Sequence, residues 1–242
     1  MIMNQATGAA PEQAPDIHAM VVTAHPDDAE FGVAGTVAAW TRAGRRVVYV
    51  VCTNGDKGSS DRAMKPEVLA RIREREQSAA AELLGVETVV FLRRPDQGLE
   101  DSAEFRQVMV RLIRTYRPEI IVTSDPYRRY LWHRDHRVVG QVVMDAVFPL
   151  ARDHMAYPNL LTAGLEPHKV REVWYWAAED LNHRVDITAT FDLKLAALRC
   201  HQSQVTELNR PDLEQWLQDR CRANAESESF ELAEAFHRVV MP

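Results

Sequence analysis

Cysteine, glycine and proline are scarce in this sequence, and it has no long apolar run. Its 242 residues include only three cysteines, ten glycines and twelve prolines. Glycine and proline together therefore fall below their usual share of about 12%, which excludes collagen-like repeats and long low-complexity tracts. The longest apolar run, residues 47–52, is far shorter than the ~18 residues of a membrane span. We expect a soluble protein that does not bind a membrane.

The cysteines and the net charge narrow the expected compartment and partners. Cys52, Cys200 and Cys221 are far apart and form no Cys-x-x-Cys pair, which is typical of reduced packing residues in a cytoplasmic protein. The net charge of −6 at pH 7 argues against a nucleic-acid partner. We therefore expect a cytoplasmic protein that binds no nucleic acid.

The chain is predicted to form one domain preceded by a mobile tail. Residues 1–16 are rich in Ala, Gln and Pro, and they lack the basic and apolar regions of a secretory signal. Residues 17–242 contain no internal repeat and no Pro/Gly/Ser-rich linker. We therefore assign them to a single domain.

Apolar runs alternate with helical patterns through the first two thirds of the chain. Strands are predicted over residues 19–24, 46–53, 88–92 and 119–124, and helices over 29–43, 66–84, 103–116 and 137–148. This order predicts an α/β, Rossmann-like, mostly parallel sheet with helices on both faces. A C-terminal α/β elaboration is predicted to follow, with strands over 173–176 and 183–187 and helices over 190–202, 213–223 and 229–238.

Candidate metal ligands follow two of these predicted strands, at the edge where open α/β sheets bind ligands. The sequence HPDD occupies 25–28 and HRDH occupies 133–136. His25 and Asp28 are three residues apart at a strand-to-helix turn, so both can point at one spot. With His136 they offer two imidazoles and one carboxylate, a set that zinc accepts in catalytic sites with a fourth position open. The same set could hold ferrous iron in a facial triad.

A purely structural interpretation of these residues stays open. His25 could pack beneath the following helix, and Asp28 could cap that helix because carboxylates bind its free N-terminal amides. His136 could simply be a surface histidine.

Two further residues are candidates for proton transfer. Asp27 lies beside the proposed ligands, where a carboxylate can take a proton from a metal-activated water, although turns and caps also favour aspartate. His133 is three residues before His136 and could face the reacting carbonyl as an imidazolium. Either Asp135 or Asp125 would then hold its tautomer or charge.

Five motifs in order connect this chain with a known family. They are AHPDDAEFGVAGT at 24–36, TNGDKGS at 53–59, RxxExxxAAxxLG at 73–85, HxDH at 133–136 and KLAALRCHQSQ at 194–204. With these motifs the sequence resembles the LmbE-like (PIG-L) family of zinc-dependent N-deacetylases. Its members include enzymes that act on N-acetylglucosaminyl groups.

The resemblance implies roles for individual residues. His25, Asp28 and His136 would bind Zn²⁺, whereas Fe²⁺ stays open from the chemistry of the three side chains alone. Asp27 would be the general base, and His133 would stabilise the tetrahedral intermediate.

The resemblance also implies that Arg73 contacts the substrate, with Arg75 as the alternative register. Two departures concern the substrate side. Arg134 stands where the family usually has the proline of HPDH and brings a charge near the mouth of the site. Leu131 occupies a position where some members have tyrosine.

The expected activity is hydrolysis of an N-acetyl group on a small, N-acetylglucosamine-like substrate, with release of a free amine and acetate. One alternative is an amidase of the same fold that acts on a non-sugar amide, such as a thiol conjugate or a natural-product intermediate. A ferrous-iron redox enzyme and a non-catalytic binding protein are two further alternatives, because fold does not fix function. The resemblance also implies a homo-oligomer.

Overall fold

The computed structural model of the protein describes residues 17–242, so the tail predicted over 1–16 lies outside the described residues. Within them, the chain forms a seven-stranded sheet of order β3-β2-β1-β4-β5-β7-β6. The strands are β1 Ala19–Thr23, β2 Val47–Thr53, β3 Thr88–Arg94, β4 Ile120–Ser124, β5 Glu172–Trp176, β6 His183–Asp186 and β7 Ala233–Val240.

The α-helices connect and flank these strands. They are α1 Asp28–Gly32, α2 Ala34–Arg42, α3 Pro66–Leu84, α4 Ala103–Tyr116, α5 Arg134–Asp145, α6 Pro158–Thr162, α7 Phe191–Cys200, α8 Gln202–Leu208 and α9 Leu213–Asn224. The single helix predicted over 29–43 is wrong, because Val33 has non-helical φ and ψ of −147° and 3° and separates α1 from α2. The break lets Gly32 lie directly against the ring of Trp176, where an added Cβ would be 2.9 Å from Cγ.

Strands β1 to β5 run parallel, and β7 is antiparallel to both β5 and β6. The predicted fold class, a mostly parallel α/β sheet with a C-terminal elaboration, is confirmed. The helix predicted over 229–238 is wrong, because most of these residues belong to β7. Glu, Leu and Ala favour a helix by intrinsic propensity, but here the chain fills the gap between β5 and β6 and pairs on both sides.

Both faces of the central strands are buried. Met20 and Val22 of β1 pack in a core with α4 and α5, whereas Ala19 and Val21 pack in a core with α1, α2, α3 and α7. This is why the strands appear in the sequence as continuous apolar runs rather than alternating ones. A smaller core joins α7, α9 and Leu232. Among residues 17–242, no helix is both long and apolar enough to cross a bilayer.

Candidate active site

The candidate site lies at the edge of the sheet where β1, β2, β3 and β4 end. Because these strands are parallel, the segments after them meet at one edge. Strands β1 and β4 are direct neighbours, with Ala19 opposite Ile120 and Val22 opposite Thr123. This pairing brings residues 25–28 next to residues 133–136, although they are far apart in sequence.

His25, Asp28 and His136 form a compact group of metal-ligating atoms. His25 Nδ1 lies 3.2 Å from His136 Nε2, and Asp28 Oδ1 lies 3.0 Å from the same nitrogen. Asp28 Oδ2 is 3.6 Å from His25 Nδ1. Two imidazole nitrogens and a carboxylate that face one another this closely can share one divalent cation, and nitrogen and oxygen ligands of this kind suit zinc. The residues present therefore fit a metal ion.

Asp28 is fixed at the start of α1 by the backbone. Its Oδ2 accepts hydrogen bonds from the N–H groups of Ala24, at 3.1 Å, and His25, at 2.8 Å. Burial alone would raise the pKa of Asp28, but the imidazoles of His136 and His25 hold this pKa well below its usual range. The carboxylate is therefore ionised and ready to bind a cation.

The second nitrogen of His25 faces two carboxylates. His25 Nε2 is 3.1 Å from Asp96 Oδ1 and 3.4 Å from Asp135 Oδ2. Carboxylates in this position favour a proton on Nε2, which leaves the Nδ1 lone pair free for a metal. Asp135 is fully buried and also accepts hydrogen bonds from the N–H groups of Gln97, at 2.7 Å, and Leu99, at 3.3 Å.

Asp96 is a site residue that the sequence analysis missed. It follows β3 at the same edge of the sheet, which is the signal that could have identified it. His25, Asp96 and His133 form a second group whose ligand atoms lie within 4.8 Å of one another. We favour the group of His25, Asp28 and His136 as the metal site. In the second group His25 would have to bind the metal through Nε2, the nitrogen on which the nearby carboxylates favour a proton.

His133 immediately precedes α5, which begins at Arg134, three residues earlier than the helix start predicted at 137. Its Nδ1 accepts the backbone N–H of Asp135 at 3.1 Å, so the neutral ring carries its proton on Nε2. Burial lowers the pKa of His133, as do the nearby imidazoles of His25 and His136. This geometry favours a neutral hydrogen-bond donor rather than the imidazolium expected from sequence.

The two carboxylates suggested as partners of His133 have other contacts. Asp135 reaches the His133 ring through its backbone N–H, while its carboxylate faces His25. Asp125 Oδ1 accepts the backbone N–H of Tyr127 at 2.8 Å.

Asp27 has an unusual backbone conformation beside the metal group. Its φ is 94°, in the left-handed region that residues other than glycine seldom adopt. Its Oδ2 lies 3.3 Å from Arg73 Nη2. Burial raises the pKa of Asp27 to about 6, against the opposing effect of the Arg73 guanidinium.

Arg73 is buried beneath the loop that follows β2. Only 4% of the residue is exposed, and it donates to Gly55 O at 3.0 Å and Pro26 O at 2.5 Å. Gly55 has a φ of 61°, and a Cβ there would lie 2.5 Å from Arg73 Nη1, so this contact requires glycine. Arg75 is exposed, whereas Arg73 is directed at Asp27, so the contact of Arg73 with the substrate stays a prediction.

Arg134 and the preceding loop form an outer part of the site. Arg134 donates through Nη1 to Leu99 O, and 55% of its side chain is exposed. Tyr130 and Leu131 are 94% and 90% exposed. This side of the site therefore offers both positive charge and apolar surface to solvent.

Gly140 sets how closely α5 approaches β4, and so where His136 lies. A Cβ at this position would overlap Ser124 O and lie 2.8 Å from Pro126 Cδ, while Ser124 Oγ donates to His136 O at 2.8 Å. Overpacking of this kind typically costs about 1–3 kcal/mol.

We expect Gly140→Ala to lower the melting temperature and to weaken metal binding, measured by thermal unfolding and by metal titration. Gly44→Ala is the control: its Cβ meets nothing within 4 Å but its φ of 74° strains alanine, so it should lower the melting temperature without changing metal affinity. Unchanged metal affinity in Gly140→Ala would contradict the prediction.

Comparison with known protein families agrees with this geometry. The family described as PIG-L, GlcNAc-PI de-N-acetylase, matches residues 20–147, which include HPDD and HRDH. The chain belongs to the PIG-L family. The resemblance found in the motifs is thereby confirmed.

Two relatives that match more than three quarters of this chain are named deacetylases. The diacetylchitobiose deacetylase of Thermococcus kodakarensis is 35% identical over 192 residues, which cover 78% of this chain and 70% of the relative. A probable N-acetyl-alpha-D-glucosaminyl L-malate deacetylase 2 of Bacillus anthracis is 29% identical over 214 residues, which cover 80% and 85%. The expected enzyme class, a hydrolase of carbon–nitrogen bonds other than peptide bonds, is confirmed.

A solved structure has the same fold. The N,N'-diacetylchitobiose deacetylase from Pyrococcus horikoshii, complexed with its inhibitor, superposes with a TM-score of 0.87 at 28% identity. The match covers 92% of this chain and 84% of that one. The similarity therefore extends well beyond the residues that match the family.

Proposed function

We propose that this PIG-L family protein is a zinc-dependent N-deacetylase that removes the acetyl group from a small N-acetylglucosamine-like substrate. The observation that carries the proposal is the close grouping of His25, Asp28 and His136 beside Asp27 and His133. The family supports the reaction type. The substrate class is supported by the names of the relatives, which act on diacetylchitobiose or on N-acetylglucosaminyl malate.

Each group has a definable task in amide hydrolysis. A divalent cation held by His25, Asp28 and His136 would polarise the amide carbonyl and lower the pKa of the attacking water. Asp27 accepts the proton from that water, because its carboxylate is beside the metal group. The Nε2–H of His133 donates to the oxyanion that develops on the carbonyl oxygen, and one such donor typically contributes about 3 kcal/mol.

The leaving nitrogen must gain a proton before the carbon–nitrogen bond breaks. Asp27 holds the proton taken from water and can return it to this nitrogen, so that acetate and a free amine are released. Asp135 and Asp96 keep His25 in the tautomer that presents Nδ1 to the metal. Arg73 holds the Asp27 carboxylate, and Arg134 is proposed to contact polar groups of the substrate at the mouth of the site.

The non-sugar amidase is not favoured, because the relatives described above act on N-acetylated sugars. Zinc is proposed as the metal because two imidazoles and one carboxylate with an open fourth position are a ligand set of catalytic zinc sites. We also propose that the protein acts in the cytoplasm as a homo-oligomer, which light scattering of the purified protein would test.

The proposed function predicts zinc-dependent amine release from N-acetylated sugars. Purified protein is incubated with N,N'-diacetylchitobiose, N-acetylglucosamine and a non-sugar N-acetyl amine, and free amine is measured. We expect release from at least one sugar, loss of at least about 90% of it after chelation because the water is no longer activated, and recovery with added Zn²⁺. Metal analysis after anaerobic purification distinguishes zinc from iron. Release only from the non-sugar amine would contradict the proposed substrate class.

A further inference from the structure

A chain of buried polar side chains leads away from Asp27 into the protein interior. Gln77 of α3, Glu30 of α1 and His201, which lies between α7 and α8, are each 0% exposed. Their sequence separations are large, since Glu30 is 47 positions from Gln77 and 171 positions from His201. Buried polar groups without partners are costly, so the pairing of these three constrains each of them.

The hydrogen bonds fix which way the Gln77 amide points. Gln77 Nε2 donates to Glu30 Oε1 at 3.1 Å, because an amide nitrogen is a donor only. Gln77 Oε1 is therefore turned the other way, where it accepts the backbone N–H of Asp27 at 3.0 Å. The opposite orientation would place the donor groups of the amide against the Asp27 N–H.

Glu30 is in turn fixed by His201. His201 Nε2 lies 3.0 Å from Glu30 Oε2, so the two carboxylate oxygens are used by two different donors. A buried carboxylate needs such partners. His201 therefore determines the position of Glu30, and Glu30 determines the orientation of the Gln77 amide.

These contacts lead to the backbone of Asp27, which has an unusual conformation. A φ of 94° in a residue other than glycine persists only where the surrounding structure imposes it. The Asp27 N–H is held by Gln77, and the Asp27 side chain is held by Arg73, at 3.3 Å. Both restraints come from α3, one turn apart.

We propose that Gln77 is a positioning residue that holds the Asp27 backbone in this conformation and so directs the Asp27 carboxylate at the reacting water. Glu30 and His201 act through Gln77 by fixing the orientation of its amide. Gln77 contacts the backbone of Asp27 rather than its carboxylate, so its effect is on geometry. The inference rests on the proposed role of Asp27 as general base.

Gln77→Met tests the proposal, because methionine has a similar length and shape but makes neither hydrogen bond. A small misplacement of a catalytic group costs up to about 10²-fold, so we expect kcat to fall between about tenfold and a hundredfold. KM is expected to stay within about twofold and the zinc content to stay unchanged, because neither depends on the Asp27 carboxylate.

Thr190→Val is the matched control. Thr190 is buried, and its Oγ1 donates to Gly35 O at 2.8 Å and to Ile187 O at 3.3 Å. Valine therefore removes buried hydrogen bonds at nearly constant shape, as methionine does at Gln77. We expect a similar loss of stability in both variants but a loss of kcat only in Gln77→Met. Equal kcat in the two variants would overturn the positioning role.

Two further variants separate positioning from general damage. Adding Gln77→Met to Asp27→Asn should cause no further loss of kcat, because the group being positioned no longer accepts a proton. Fully additive losses would contradict the proposal.

Glu30→Gln keeps the shape of the Glu30 side chain but can present an N–H to Gln77. That would turn the Gln77 amide around and place a donor against the Asp27 N–H, so we expect kcat to fall here as well, even if Gln77→Met does not fold.

Hydrogen exchange gives a readout that does not need activity. In ¹⁵N-labelled protein, the amide of Asp27 should exchange at least about tenfold faster in Gln77→Met, because opening free energies set the exchange rate. The amide of His25, which donates to Asp28 Oδ2 at 2.8 Å, should be unchanged. Unaltered exchange at Asp27 would refute the inference. If the wild-type protein deacetylates nothing, the proposed function fails, while this exchange result still shows whether Gln77 holds Asp27.

Discussion

Replacing Asp27 by asparagine is expected to lower kcat by about a thousandfold, within the range of about 10²–10⁴ that a positioned general base contributes. Asparagine has nearly the same shape, and its side-chain oxygen can still accept from Arg73, but the amide cannot take a proton from water. Asp27 is outside the group formed by His25, Asp28 and His136. Zinc content should therefore stay at the wild-type level, and the loss should appear in kcat rather than in metal binding.

Asp125→Asn is the control for this experiment, because it removes another negative charge from the same edge of the sheet. Asp125 lies at the end of β4 and accepts the backbone N–H of Tyr127 at 2.8 Å, a bond that asparagine can keep. We expect less than about a threefold change in kcat, since asparagine has the same shape and preserves the turn that this bond fixes. Wild-type kcat in Asp27→Asn with zinc bound would exclude Asp27 as the base.

Replacing His136 by alanine should lower the activity at least as much as Asp27→Asn does, because the variant loses a metal ligand. The variant removes one of three ligands and leaves His25 and Asp28, which cannot complete the three-ligand set of a catalytic zinc site. Loss of several kcal/mol of transition-state stabilisation corresponds to about a thousandfold or more in kcat/KM. We expect zinc content, measured by elemental analysis, to fall well below one ion per chain, with partial recovery of activity in excess zinc.

His154→Ala provides the comparison for His136→Ala. Its side chain is 74% exposed, so its loss removes a histidine without changing the site. We expect full zinc content and wild-type activity in this variant. If His136→Ala retained stoichiometric zinc at wild-type affinity, the assignment of the metal group would be wrong.

The bounds of helices α3 and α4 could be predicted from the sequence alone. Both were predicted with the bounds that the structure has, Pro66–Leu84 and Ala103–Tyr116. Pro66 suits a first helical turn, and Gly85 ends α3 with a φ of 73°, which few other residues adopt without strain. Local chemistry determines these ends, so local sequence predicts them.

Strand β7 shows where the sequence was not sufficient. The residues of this segment favour a helix locally, and only the presence of β5 and β6 on either side makes it a strand. Strand formation depends on neighbours that are distant in sequence, which propensity does not describe.

Some residues of the candidate site could likewise be predicted from the sequence, and others could not. His25, Asp28 and His136 could be proposed from short motifs at strand ends, because parallel strands gather these ends at one edge. The contacts of Asp96 with His25 and of Gln77 with Asp27 could not be predicted, since each pairs residues from different elements. Glutamine and aspartate are also common on helix surfaces and in loops, so neither residue type indicated a buried role.

His25 Nδ1 and His136 Nε2 lie 3.2 Å apart although 111 positions of the chain separate them, and this has a consequence for how the protein folds. The two histidines meet only after β1 and β4 have paired with the intervening β2–α3–β3–α4 region in place. During synthesis, a ribosome must therefore release α5 before an ion can be captured at full affinity. An ion held there would act as a removable cross-link that closes a very long loop, and its binding free energy would add to the stability of the whole sheet.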